Sequence, residues 1–283
     1  MPSARRASPH DAVPGDGDLA LIPDDSGGVT VLRDGQPQSY VDVADPARLE
    51  FEYVAQMGLA LDALAPAGPL AVTHVGGAGL TLARYVAHTR PGSPQIVLEP
   101  DAATTAVVRR ELPLPRGHRI RVRAQDGANG VAALADGSAD AVLLDAYAQG
   151  RLPPELGTLG FFAQVARVLR PSGLLVANVA DEPARAYLRR IAAGVAAAGL
   201  GRIALVATHD VLKGRRFGNT VMVASATPYD PDALRRAATR CLYPSGVRAG
   251  GEVTRWVGGA RPFGPGDEAA SPPPPELGGW RVR

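Results

Sequence analysis

The chain reads Leu70-Ala71-Val72-Thr73-His74-Val75-Gly76-Gly77-Ala78-Gly79-Leu80-Thr81-Leu82-Ala83-Arg84-Tyr85-Val86-Ala87, and a second apolar run, Ile96-Val97-Leu98, ends in Glu99. The pattern predicts strand, glycine turn, helix, strand and terminal acid. Gly76, Gly77 and Gly79 let the backbone turn tightly and approach a ligand closely. The helix that follows presents unpaired N–H groups and the positive end of its dipole. An acid at the end of the next strand, about 20 residues beyond the glycines, is placed to accept hydrogen bonds from a ribose. The unit therefore fits an adenosine-type ligand, although strand-to-helix turns also carry glycines for chain geometry alone. The dinucleotide fingerprint asks for a third glycine where Leu82 stands, which argues against NAD or FAD.

The rest of the chain sets bounds on that reading. Its 283 residues allow one large domain with an extension, and 46% apolar residues supply a core. A net charge of +2 implies no nucleic-acid partner. Cys241 is the single cysteine, so no internal disulfide forms. No apolar run approaches the roughly 20 residues of a membrane span, and no apolar stretch follows Arg5 and Arg6 as in a signal peptide. The expectation is a cytoplasmic protein with no membrane partner.

Outward from the glycine turn, residues 1–27 are polar and rich in Pro, Gly and Asp and read as a mobile arm. Residues 28–66 read as a β-hairpin with a somewhat long connection, then a linking helix that Asp45-Pro46 would open. Residues 67–245 alternate strands and helices, which predicts an α/β fold with a mostly parallel sheet and an antiparallel final strand. Within it a short helix is expected over Val131–Leu134 and a strand over Leu174–Asn178, with a closing helix over residues 231–243. Residues 246–283, dominated by Gly and Pro from Gly258 on, read as an extended tail.

In such sheets ligands sit beyond the carboxyl ends of the strands. Four acids fall there: Glu99, Asp101, Asp126 and Asp145. Asp126, followed by Gly127, suits an adenine amino group, and Asp145 suits a proton taken from an amine. Each also fits a helix N-cap, the reading favoured for Asp101. His74, inside a strand, reads as a packed residue, and no Cys or His cluster has metal spacing. The loop Lys213-Gly214-Arg215-Arg216 should reach the same edge and either meets an anion or is simply solvated.

Across Val29 to Ser225 the chain resembles the spermidine synthase family, the polyamine aminopropyltransferases, in particular a divergent bacterial branch. The resemblance is carried by Gln38-Ser39-Tyr40-Val41-Asp42, Phe51-Glu52-Tyr53, His74-Val75-Gly76-Gly77-Ala78-Gly79, Val97-Leu98-Glu99-Pro100-Asp101, Asp126-Gly127, and Leu144-Asp145 leading to Phe161-Phe162 and Val168-Leu169-Arg170-Pro171-Ser172-Gly173. It implies a small N-terminal β element before a seven-stranded, class I methyltransferase-like Rossmann domain. It also implies S-adenosylmethionine or its decarboxylated form as co-substrate without a metal, a small-molecule acceptor, and a homodimer. By this resemblance Glu99 holds the ribose and Asp126 contacts adenine. Asp145 is the catalytic aspartate, and Tyr53 lies near the amine substrate.

The chain departs from the family at three places. Ala78 stands in a shortened loop that usually carries an Asp, Ala148 replaces a second Asp, and Val54 replaces a Gln. A polyamine cation needs carboxylates around it, because burying an unpaired charge is costly. The expectation is an aminopropyl or other alkyl transferase, with methyl transfer a close variant, acting on an acceptor other than a plain diamine. The other reading is a catalytically silent homologue that binds an adenosyl ligand or only dimerises.

Overall fold

The computed structural model describes residues 13–14 and 19–275. It opens with an antiparallel sheet in the order β1 (Val13–Pro14), β2 (Leu19–Pro23), β3 (Gly28–Arg33), β4 (Gln36–Asp42). Helix α1 (Glu52–Leu64) leads into β5 (Val72–Val75), α2 (Thr81–Thr89), β6 (Gln95–Leu98), α3 (Ala102–Glu111), β7 (Ile120–Arg123), α4 (Gly127–Ala132) and β8 (Ala139–Leu144). After a loop come α5 (Leu159–Val168), β9 (Leu169–Asp181), α6 (Ala186–Ala197), β10 (Arg202–Thr208), α7 (His209–Leu212) and β11 (Gly218–Ser225). Helix α8 (Pro231–Ala238), β12 (Ser245–Ala249) and α9 (Gly251–Val257) complete the fold. No helix among the described residues is long and apolar enough to cross a membrane.

The large sheet has eight strands, ordered β12-β10-β11-β9-β8-β5-β6-β7. Strands β9, β8, β5, β6 and β7 run parallel, and β11 lies antiparallel between β9 and β10. Helices cover both faces, so the central strands are buried almost throughout and read as largely apolar runs. Leu144, Leu175 and Val179 pack with α5 and α6 on one side. Leu143, Val176 and Val221 pack with α1 and α8 on the other. The small sheet docks on α2 and α3 through Leu21, Val31, Val41, Ala83 and Val107.

Several expectations need correction. The eighth strand, β12, pairs with β10 and lies where the sequence suggests a boundary and a tail. It is an edge strand, Ser-Gly-Val-Arg-Ala, with little β-branched signal. Strand β2 occupies the end of the expected 1–27 arm, with Leu19 and Leu21 buried against the core; residues 1–12 and 15–18 lie outside the described residues. The hairpin β3–β4 closes through a tight Asp34-Gly35 turn with both φ positive, and a register shift at Val31/Leu32 absorbs the extra length. Asp45 closes a turn through its bond from the Ala47 N–H (3.2 Å), and α1 begins later, after Phe51. Helix α4 starts at Gly127 because Asp126 caps it, β9 is already extended at Leu169, and α8 stops at Ala238. Residues 258–275 form no regular element but pack back: Phe263 and Ser271 are buried, and the Leu152 N–H donates to Ser271 Oγ at 2.9 Å. Residues 276–283 lie outside the described residues.

The parallel strands place Gly76, Glu99, Asp126 and Asp145 on one carboxyl edge. Gly76 has φ +93°, and a Cβ there would come within 2.1 Å of the Asp145 carbonyl oxygen. Gly68 has a similar φ, +92°, with nothing within 4 Å of a Cβ. Gly76→Ala should therefore cost about 1–3 kcal/mol more than Gly68→Ala, the overpacking cost beyond shared backbone strain. Urea unfolding of the two variants checks this, and equal losses would contradict the packing described.

Candidate functional site

The glycine turn is fastened from two sides. Glu99, at the end of β6, accepts on Oε2 from the Gly77 and Ala78 N–H groups at 2.9 and 3.0 Å. Its Oε1 accepts from the Asp101 N–H at 2.9 Å. From the small sheet, Ser39 Oγ accepts from the Gly79 N–H at 3.0 Å, and the Tyr40 carbonyl accepts from the Thr81 hydroxyl at 2.8 Å. The motif Gln38–Asp42 thus buttresses the turn, and a Cβ on Gly79 would collide with Ser39 at 2.7 Å. Arg84, buried on α2, donates to the carbonyls of Gly79, Leu112 and Pro113 and closes the turn from below. The turn's amides are therefore held within the protein rather than left free for a ligand. Glu99 itself stays half-buried, with lone pairs to spare on both oxygens.

Asp145 leaves the end of β8. The pairing Leu144↔Ala177 puts Asn178 of β9 beside it. The Asn178 Nδ2 group donates to Asp145 Oδ1 at 3.0 Å. Burial pushes the Asp145 carboxyl up to about 6, against the pull of that hydrogen bond. Tyr147 donates to the Asn178 carbonyl at 3.1 Å and accepts from the Ala180 N–H at 2.8 Å, which pins the end of β9. Tyr53 comes in from α1. Burial and the negative charge of Asp145 hold its hydroxyl well above the usual phenol range. Tyr53 lies close enough to Asp145 to feel its charge, and Asn178 and Tyr147 stand at the same strand edge. Asn178 is 1% exposed, and its Oδ1 has no partner among the described residues. Its one sequence signal is an amide in an otherwise apolar strand, Leu174 to Ala180.

The remaining candidates divide. Asp101 caps α3 through the Thr104 N–H at 2.9 Å and pairs with Arg33. Asp126 caps α4, accepting from the Asn129 N–H at 2.9 Å and its Nδ2 at 2.8 Å; these bonds hold its carboxyl below the usual range. Asp126 is half-buried at the carboxyl edge, and a Cβ on Gly127 would meet Val75 at 2.4 Å. His74 is buried and bonded to Gln95 at 2.7 Å, and burial lowers its ring to about 4. In the basic loop, Arg216 pairs with Glu52 at 3.0 Å and Arg215 with Asp210 at 3.3 Å, so the loop's positive charge is largely answered.

No family model matches the chain. A polyamine aminopropyltransferase of Chromobacterium violaceum is 29% identical over 160 residues, which cover 54% of this chain and 59% of that protein; the match thus spans under two thirds of the relative's length. A probable spermidine synthase from Corynebacterium glutamicum superposes with a TM-score of 0.79 at 28% identity, over 93% of this chain and 96% of that one. The human methyltransferase-like protein 13, solved in complex with SAH, shares the fold at a TM-score of 0.50 and 20% identity, over 76% of this chain and 94% of its own. In sequence and architecture this chain is similar to spermidine synthases, and its large sheet has the methyltransferase-like Rossmann fold.

Proposed function

We propose that the protein is a transferase that uses S-adenosylmethionine or its decarboxylated form to alkylate a small-molecule acceptor other than a plain diamine. The observation that carries the reading is Asp145: a carboxyl raised to about 6 by burial, on the strand edge that also holds Glu99. Such a group is ionised at neutral pH yet accepts a proton readily. In this reading it receives the proton of the attacking amine as the N–C bond forms and the C–S bond of the sulfonium breaks, which leaves a neutral thioether. Asn178 orients the carboxylate, and Tyr53 and Tyr147 wall the position where the amine would lie. The free lone pairs of Glu99 serve ribose hydroxyls, and Asp126 faces the adenine amino group. The relative's name, polyamine aminopropyltransferase, and the SAH in the methyltransferase-like neighbour support the ligand class.

The acceptor follows from charge. Ala78, Ala148 and Val54 supply no carboxylate or amide, and Glu52, beside Tyr53, is held by Arg216. A dication would find few partners for its second ammonium. A screen of diamines against amino acids and other singly charged amines, with both sulfonium donors, should find putrescine a poor acceptor, and Asp145→Asn should abolish turnover of the best one. Efficient transfer to putrescine would overturn the acceptor assignment. Unchanged turnover in Asp145→Asn would overturn the role of Asp145.

The raised pKa also has a consequence for stability. Native Asp145 holds its proton up to about 6, while in the unfolded chain the group titrates near its ordinary 3.8. Its contribution to stability is therefore fully present below the unfolded value and is lost as pH rises through about 6. Asp145→Asn removes this loss. Urea unfolding across pH 4 to pH 8 should show the variant gaining on the parent through that window and then levelling. Asn178→Ala, which deletes the hydrogen bond to the carboxylate, should move the window upward. A constant difference at all pH values would contradict the burial of Asp145.

A further inference from the structure

A separate concave pocket of about 870 Å³ lies between α6, α9 and the segment that follows α9. It shares no lining residue with the edge that carries Glu99 and Asp145. Two adjacent arginines of α6 have opposite fates there. Arg190 is fully employed: it donates to the carbonyls of Arg261 (3.0 Å) and Pro262 (3.2 Å), lies 3.8 Å over the Phe263 ring and pairs with Asp267. These contacts fasten the segment after α9 onto α6 and so form one wall. Arg189 lies over the Trp256 ring at 5.4 Å, and its Nε is buried without a partner among the described residues. Arg255 and Arg261 line the same pocket, and among the described residues no carboxylate pairs with either of them or with Arg189. The only acid in the lining, Asp267, belongs to Arg190.

The charges strain against each other. Arg185 lies over the same Trp256 ring at 5.3 Å, and its Nε is also buried without a partner among the described residues. Burial and the like charges of Arg248 and Arg189 lower its pKa. A buried donor without an acceptor costs free energy, and like charges held close add to that cost. An oxyanion in the pocket would accept from the arginines and offset their repulsion.

We propose that this pocket binds a small anion carrying two or more phosphate or carboxylate groups. Three arginines, Arg189, Arg255 and Arg261, have no acid partner among the described residues, and together they exceed the charge of a single carboxylate. The size falls within the roughly 300–1,000 Å³ of small-molecule sites. The half-buried Trp256 provides a flat face beside the charges and a reporter for the test.

The chain has two tryptophans, so Trp280→Phe leaves Trp256 as the sole tryptophan, excited selectively at wavelengths the seven tyrosines do not absorb. In that background pyrophosphate and citrate are titrated at constant ionic strength, with fluorescence and thermal melting read together. The expected result is a saturable change in Trp256 emission and a rise in Tm with at least one of the two. Response to pyrophosphate alone identifies a phosphate ligand, to citrate alone a polycarboxylate, and to both a general oxyanion site. Arg189→Gln with Arg255→Gln should weaken the response at least tenfold. Arg235→Gln, which removes an exposed charge paired with Asp232 on α8, should leave it unchanged. The proposal fails if neither anion saturates, if sodium chloride at equal ionic strength reproduces the effect, or if the double substitution leaves binding intact.

Discussion

The carboxylate of Glu99 joins the end of β6 to the turn that follows β5 by accepting from two consecutive turn amides, with a third bond to the Asp101 N–H. Charge-assisted bonds of this kind are roughly twice as strong as neutral ones. They hold a turn in which Gly76, Ala78 and Leu80 all have positive φ. That conformation is costly for Ala78 and Leu80, so the turn persists only because its surroundings over-determine it. With the turn fixed, Gly76 packs on the Asp145 backbone, and the ends of β5, β6 and β8 become one rigid edge. The small N-terminal sheet serves the same end through Ser39 and Tyr40.

On that edge the protein keeps a carboxyl group where burial opposes its charge. Asn178 supplies the only hydrogen bond to the Asp145 side chain among the described residues, and the charge of Asp145 reaches both Tyr53 and Tyr147. The cost appears as reduced stability at neutral pH, where the buried carboxyl must carry its charge. The Asn178 Oδ1 atom has no partner among the described residues.

What the sequence made legible was what local chemistry dictates. The run from Leu70 to Glu99 reads directly as strand, turn, helix, strand and acid, and Asp101 reads as a helix cap, because a few neighbouring residues decide each. The strand β12 and the strand β2 were not legible, since short edge strands are made by the neighbours they pair with rather than by their own pattern. Asn178 was hidden for a related reason: its meaning comes from register with Asp145 across β8 and β9. The basic loop shows the converse. Its charges are plain in the sequence, but their neutralisation by Glu52 and Asp210 depends on tertiary placement.

The account rests on Glu99 both shaping the glycine turn and offering its remaining lone pairs to a ribose. Calorimetric titration of methylthioadenosine into the protein and into Glu99→Ala tests this most directly. The account predicts saturable binding to the parent and a loss of about 1.5–3 kcal/mol in the variant, the range for hydrogen bonds to a charged group. Equal affinity for the two proteins, or no heat with the parent and with either sulfonium donor in its place, would contradict it.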